Sequence, residues 1–236
     1  MPRIELFHVP FHLRHKVGQD RYGIPGFPCL YLGSWLSLCL AELRFNLTNA
    51  PQCSVARFRL RREIRLLDFG YKPGAWAPFA AHSASPALDN LIVNYAICWP
   101  LIAASSIKTL NEGAHFSPEY LVPQMILQWL MQQDIFDGIR YFSTRFQPEV
   151  NDPRIVNYVF PAVQGSDPKS HSSAKLEGLF ALTGPVSDPK SDYSARLEEI
   201  FELTEPVLWG DCNPIGGSEA ESVQKFLKSL PMMPLR

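Results

Sequence analysis

Between residues 21 and 42, three side chains with chemical capacity stand in sequence that is otherwise apolar or turn-forming: Arg21, Tyr31 and Glu42. A fourth, Ser143, opens the triplet Ser143-Thr144-Arg145 at the end of the segment Ile139–Phe142. A carboxylate can stabilise a developing cation, an arginine can grip an anion through its planar fork, and tyrosine or serine can stack or donate a hydrogen bond. Each also has a plain structural reading. Arg21 can be a surface loop residue, Tyr31 a core aromatic with its hydroxyl at the rim, and Glu42 an ion-pair partner at a helix end. Glu42 is the least ordinary of them, because an ionised carboxylate on a buried helix needs a partner or a task.

Turn chemistry and apolar pattern place these groups on elements. Gly23, Pro25, Gly26 and Pro28 disfavour helix before residue 29, so Arg21 belongs to a loop. Cys29-Leu30-Tyr31-Leu32 is an apolar run of strand length ended by Gly33. Ser34 can cap a helix whose Trp35, Leu36, Leu38, Cys39, Leu40 and Leu43 are read as buried, with Glu42 near its end.

Elsewhere, strands are predicted over Ile4–Val9, Ser54–Leu60, Glu63–Phe69, Ile139–Ser143 and Asn157–Ala162, with a loop over residues 70–86. Pro86 opens a helix with Leu88, Leu91, Ile92 and Tyr95 inward; Pro100 ends it or starts an apolar strand Leu101–Ser105. A second helix is placed from about Pro123 to Gln133, with Met125, Ile126, Trp129 and Leu130 facing the core. Arg57, Arg59 and Arg61 alternate along one strand face, which reads as a solvated row rather than a nucleic-acid patch, since no stacking aromatics interleave. His8, His12 and His15 have the spacing of a metal-binding helix face. Pro10 sits among them and no carboxylate or cysteine is near, so they read as ordinary surface or core histidines.

Composition excludes several classes. With 236 residues, 46% hydrophobic, the chain can bury a substantial core, and a net charge of −1 gives no case for binding nucleic acid or a membrane surface. The longest apolar run, Tyr95–Ala104, is too short to span a bilayer. Residues 1–20 carry several charges and no continuous apolar core, which predicts no secretory signal, so the sequon Asn46-Leu-Thr48 carries no weight. Five scattered cysteines form no CxxC pair, which suits a reducing, cytoplasmic setting. There is no P-loop, GxGxxG, GxSxG or HExxH, and neither a metal nor a cofactor is implied.

The C-terminal third holds a tandem duplication: residues 166–186 recur as 187–207, identical at 14 of 21 positions. Each unit reads as loop, short helix and Pro-Val extension, with Leu176, Leu179 and Phe180 matching Leu197, Ile200 and Phe201. Two copies are too few for a solenoid. The second, followed by Leu208-Trp209, is expected to be the copy integrated in the core. The tail 216–236 is given one short helix, Glu219–Leu227.

Taken together, Arg21, the phrase Gly26-Phe-Pro-Cys-Leu-Tyr-Leu-Gly33 and Ala41-Glu42 resemble the N-terminal signature of the RES domain, named for its arginine, glutamate and serine. Pro118–Trp129 followed by Asp137-Gly-Ile-Arg-Tyr-Phe-Ser143 resembles its second block, Asn157–Pro161 its closing strand, and residues 197–209 the tail of longer members. The second 21-residue unit is additional to the pattern. The resemblance implies a single α+β domain over residues 1–236, a mixed sheet split around a ligand cleft with flanking helices, similar to ADP-ribosylating toxins. It further implies a toxin of a toxin–antitoxin module that breaks the nicotinamide–ribose bond of NAD+ as substrate, by hydrolysis or phosphorolysis. Alternatives are ADP-ribosyl transfer to a protein, and a catalytically silent module that only binds.

On this resemblance Arg21, Tyr31, Glu42 and Ser143 line the NAD+ site. Glu42 would stabilise the oxocarbenium-like ribose, Arg21 would hold the diphosphate, Tyr31 would pack on the nicotinamide side and Ser143 would donate to the ribose or amide. The implied protein partner is a helical DNA-binding antitoxin, and a homodimer is compatible with the pattern.

Overall fold

The computed structural model describes residues 6–44, 55–72, 86–110, 116–133, 135–145, 155–167 and 170–187. They form an α+β fold around two sheets. The larger has four strands: β1 (Cys29–Gly33), β3 (Leu66–Phe69), β4 (Gly138–Phe142) and β5 (Val156–Pro161), in the order β1-β5-β4-β3. β1 and β4 flank β5 antiparallel, whereas β3 and β4 run parallel. A parallel pair needs a crossover, and helices α2 (Pro86–Ser105) and α3 (Leu121–Gln132) lie in the connection between these two strands. The smaller sheet pairs β2 (Val55–Leu60) with β6 (Phe180–Ser187), antiparallel. Two short helices complete the set, α1 (Leu36–Glu42) and α4 (Ala174–Leu179).

Side chains alternate across a strand, so the register sorts the four-stranded sheet into two faces. Tyr31, Val159, Ile139 and Leu67 form one row across it, and Gly33, Asn157, Tyr141 and Phe69 the next row on the same face. That face packs on α2 and α3 through a cluster including Ile102, Ile126, Leu127, Leu130, Ile139 and Val159. The opposite face presents Leu30 and Phe160 to Leu176, Leu179, Phe180, Ile64 and Phe11. Burying each such side chain is worth about 1.5–3 kcal/mol, so both faces are held strongly. Arg140 also lies on this second face, closed off by two contacts of its Nη1 to the Asp68 carboxylate at 2.8 and 2.9 Å.

Several expectations are corrected. Ser34 does not cap α1; its Oγ accepts from the Val156 N–H, and its own N–H donates to the Val156 carbonyl, stitching the start of the helix to β5. Leu43 lies just past α1 and is exposed, while Leu38 is fully buried. α2 continues through Pro100 to Ser105, so no strand forms over Leu101–Ser105. Pro100 is on the exposed side, and the gain from burying Ile102 beyond it helps offset the lost helix bond. α3 starts at Leu121; Pro123 sits in the first turn, where no intrahelical N–H is needed. Its inner face is Pro123, Ile126, Leu127 and Leu130, leaving Met125 and Trp129 outside. Residues 6–9 form no strand.

The first duplicated unit contributes α4 and β6, with Leu176, Leu179 and Phe180 in the core. The expectations for residues 188–207 and for the tail 216–236 lie outside the described residues, as does most of the predicted loop over 70–86. No helix among the described residues is long and apolar enough to cross a membrane.

Candidate active site

The triplet Ser143-Thr144-Arg145 leaves the end of β4 and joins two of the sequence-predicted groups. Ser143 Oγ donates to Glu42 Oε1 at 2.6 Å, and Arg21 Nη2 donates to Thr144 Oγ1 at 2.9 Å. Arg145 closes the arrangement from the other side: its N–H donates to Ser143 Oγ at 3.1 Å and its Nη1 to the Glu42 carbonyl at 3.1 Å. The carboxylate at the last turn of α1 is therefore fixed against the end of β4, about a hundred residues away in sequence.

A second donor reaches the same oxygen. Asn157 Nδ2 donates to Glu42 Oε1 at 2.7 Å. Asn157 is buried at the start of β5 and stands beside Tyr141 in register. Both neutral donors thus converge on Oε1, while Oε2 accepts no hydrogen bond among the described residues. Charge-assisted bonds of this kind are about twice as strong as neutral ones, and two of them lock the rotamer and point one oxygen outward.

Arg21 is more committed than a loop arginine need be. Nη1 donates to the carbonyls of Ser105 at 2.6 Å and Ile107 at 2.9 Å, at the end of α2, and the guanidinium lies over the Tyr120 ring at 5.3 Å. A cation is favoured there, since helix C-termini carry partial negative charge and unpaired carbonyls. With Nη2 on Thr144, the Nε–H and one Nη2–H make no hydrogen bond among the described residues.

Tyr31 sits one row along the same sheet face, paired with Val159, and keeps 39% of its surface accessible. Its hydroxyl packs against the backbone of Gly23, where a Cβ would come within 2.7 Å of it. The hydroxyl end, packed into this wall, is desolvated although the ring keeps an exposed edge; this raises the phenol well above the usual tyrosine range, and the nearby Cys29, Asp20, Tyr141 and Tyr22 add to it. Tyr141 is raised in the same way, first by burial and then by the Glu42 charge. Tyr22 packs on Tyr141 with ring centroids 4.7 Å apart, and burial pushes it up to about 12. All three phenols are therefore neutral hydrogen-bond donors at neutral pH. Cys29, on the same strand, is pushed up to about 12 by burial and by Asp20, which removes it as a thiolate nucleophile.

All four expected residues thus lie about one end of one sheet face: Glu42, Ser143 and Arg21 linked through the triplet, and Tyr31 on the adjoining row. Sequence reasoning missed Asn157 and Tyr141, and named Arg145 only as a member of the triplet, without a role. Tyr141 was findable, because strand period two puts it on the same face as Ser143. Asn157 was visible as a polar residue in an otherwise apolar strand. The histidines at 8, 12 and 15 do not converge: His8 bonds Ser173 and Val9, His12 faces His171, and no metal-capable group of three forms among the described residues.

A family model described as "RES domain" matches residues 4–175. The chain is also 33% identical over 191 residues to "Putative toxin YopC" of Bacillus subtilis (strain 168), a match covering 78% of this chain and 42% of that protein's length. No solved structure matches.

Proposed function

The chain belongs to the RES domain family, and from that premise we propose that it is a toxin-like enzyme that consumes NAD+ by breaking the nicotinamide–ribose bond. The observation that carries the reading is the Glu42 carboxylate, with Oε1 anchored by Ser143 and Asn157 and Oε2 left for a ligand. The chemistry asks for little more. As the C1′–N bond breaks, its electron pair returns to the pyridinium nitrogen and nicotinamide leaves neutral, so no general acid is required. Positive charge then spreads over C1′ and the ring oxygen, and a fixed carboxylate beside them lowers the barrier electrostatically. An oxygen of water or phosphate attacks C1′ and its proton passes to solvent.

In this reading Arg21 uses its remaining Nε–H and Nη2–H on the diphosphate, as a fork suited to two oxygens. Tyr31 covers the nicotinamide side of the ligand, and Ser143 places the carboxylate rather than the sugar, because its hydroxyl proton is already given to Oε1. A helical DNA-binding antitoxin is the proposed partner and the cytoplasm the proposed location. Apolar side chains exposed on α2 and α3, such as Ile97, Met125 and Trp129, offer such a partner a surface.

Incubating the purified protein with NAD+ and following nicotinamide release tests the reading. Release that depends on phosphate identifies phosphorolysis, release without it hydrolysis, and label transferred to a lysate protein identifies ADP-ribosyl transfer. Glu42→Ala is expected to fold and to lose release by at least about a hundredfold, the scale of removing a transition-state charge contact. Undiminished release by Glu42→Ala would sink the proposed mechanism.

A further inference from the structure

The tandem duplication gives the sequence two segments with the same pattern of core-forming residues. α4 and the start of β6, which pairs with β2, pack on the four-stranded sheet in a groove where Leu176, Leu179 and Phe180 are buried against Leu30, Phe160, Ile64 and Phe11. Ser173, also buried, locks the entry, its Oγ bonding both the N–H and the carbonyl of Val163 while its N–H donates to His8. Every one of these contacts is made by a residue that the second unit repeats or closely matches. Ser194, Leu197, Ile200 and Phe201 stand at the places of Ser173, Leu176, Leu179 and Phe180.

Apart from the same-size exchange of buried Leu179 for Ile200, the copies differ at positions 171, 172, 175, 178 and 181, none of which is buried, and at 184. Gly178 becomes Glu199, and a Cβ at Gly178 meets nothing within 4 Å. His171, exposed against His12 at 3.0 Å, becomes Asp192, which in the same seat would set a carboxylate beside the imidazole. Ser172 becomes the larger Tyr193 at a half-buried position with one side to solvent. Ala181 becomes Glu202, and Ala181 is the residue directly opposite Arg59 in the β2–β6 ladder. Arg59 is exposed with no ion pair among the described residues, so the second copy would supply the opposite charge across the strands. Beyond the unit, Leu208-Trp209 stands in sequence where the first copy is followed by Ser187-Asp188.

We propose that residues 187–207 are an alternative occupant of this groove, exchanging with residues 166–186 within one chain. When the second copy is seated, the connection from β5 lengthens by one 21-residue unit, a change that loop-closure entropy tolerates because its cost grows only with the logarithm of length. The groove, β2 and the sheet behind it stay the same in both arrangements, while the segment leaving the far end of the strand differs.

Redundancy is the signature to measure. Phe180→Ser empties a core position of the first copy, and Phe201→Ser the matching position of the second. With exchange, each single variant melts within about 3 °C of the parent, and the double variant melts about 10 °C lower, the size expected for an unfilled aromatic site in a domain of this length. Phe180→Ser melting as low as the double variant would overturn the proposal. Disulfide trapping gives a second readout: Arg59→Cys with Ala181→Cys reports the first copy, and Arg59→Cys with Glu202→Cys the second, located by peptide mapping without reduction. Both cross-links are expected within one chain, the second becoming dominant when Phe180→Ser is added. Absence of the second cross-link in that background, or its formation only between two chains, would also overturn the exchange.

Discussion

Glu42 is held by one oxygen, and in the proposed mechanism the other faces the ligand, a division that makes distinct demands on its two donors. Removing Ser143 Oγ or Asn157 Nδ2 leaves Oε1 with a single anchor and the carboxylate free to rotate. Ser143→Ala and Asn157→Ala are each expected to lower kcat for nicotinamide release by about tenfold to a hundredfold, with KM changed little, since misplacement costs the transition state most. The double variant should fall by less than the product of the two, because both act through one group. Independent, multiplicative losses in that cycle would show that the two donors do separate jobs. Gly23 is a different kind of requirement. A Cβ there would come within 2.7 Å of the Tyr31 hydroxyl and 2.9 Å of Asp20 Cβ, so Gly23→Ala must push Tyr31 from its place. A loss of about 1–3 kcal/mol of stability is expected, partly recovered when Tyr31→Phe removes the clashing oxygen, as read by denaturant melts. No recovery in the pair would place the strain at Asp20 instead.

At the level of elements, the decisive contacts join pieces distant in sequence, and this decides what could be read without a structure. Strand β1, the turn before it and helix α1 were legible, because glycine, proline and apolar pattern are local signals. The break at Pro100 was misread, since α2 survives its proline through burial of Ile102, which only tertiary packing supplies. Likewise Ser34 looks like a cap in sequence, yet its hydroxyl finds the Val156 N–H across the sheet. The grouping of Arg21, Glu42 and Ser143 came from family resemblance, whereas Asn157 and the contacts of Arg145 to Ser143 and Glu42 became visible only once β4 and β5 were paired. Arg21 shows why element and site cannot be separated: it clamps the end of α2 through two carbonyls while facing the triplet. Arg21→Ala is therefore expected to lose stability, by about 2–3 kcal/mol for charged hydrogen bonds, as well as activity. Activity lost with no change in melting would assign the arginine wholly to the ligand. The sheet imposes its own limit at Gly138, where a Cβ would come within 2.6 Å of both the Val159 carbonyl and Phe160 Cδ1. Backbone cannot yield as a side chain can, so Gly138→Ala should cost about 2–3 kcal/mol and leave the residual enzyme's KM unaltered.

Across the whole molecule, the N-terminal segment and the duplicated region meet through one buried imidazole, and pH should act on the fold there. His8 is 5% exposed; its Nε2 accepts from the Ser173 N–H at 3.0 Å and its Nδ1 lies 2.7 Å from the Val9 carbonyl. That pattern needs the neutral ring protonated on Nδ1, because an imidazolium would turn a second N–H toward Ser173. Burial accordingly lowers the His8 pKa below its ordinary 6.5, against the opposing pull of the Val9 carbonyl and the Glu177 carboxylate. The unfolded chain, with an ordinary histidine, takes up a proton near pH 6.5 that the folded chain refuses, so protons favour the unfolded state below that value. Stability from this contact is complete above about pH 7 and drains away as pH falls, by at most about 1.4 kcal/mol per pH unit. In a domain of this size that corresponds to roughly 3 °C of melting temperature per unit between about pH 6.5 and the lowered folded value. His8→Gln keeps an amide donor and acceptor at the junction without a titrating group. Its melting temperature is expected to start below the parent's at pH 7.5 and to converge on it toward pH 5.5, since only the parent loses this contact. Parallel curves over that range would mean that the folded protein accepts the proton at His8 and that the junction with Ser173 rearranges to accommodate it.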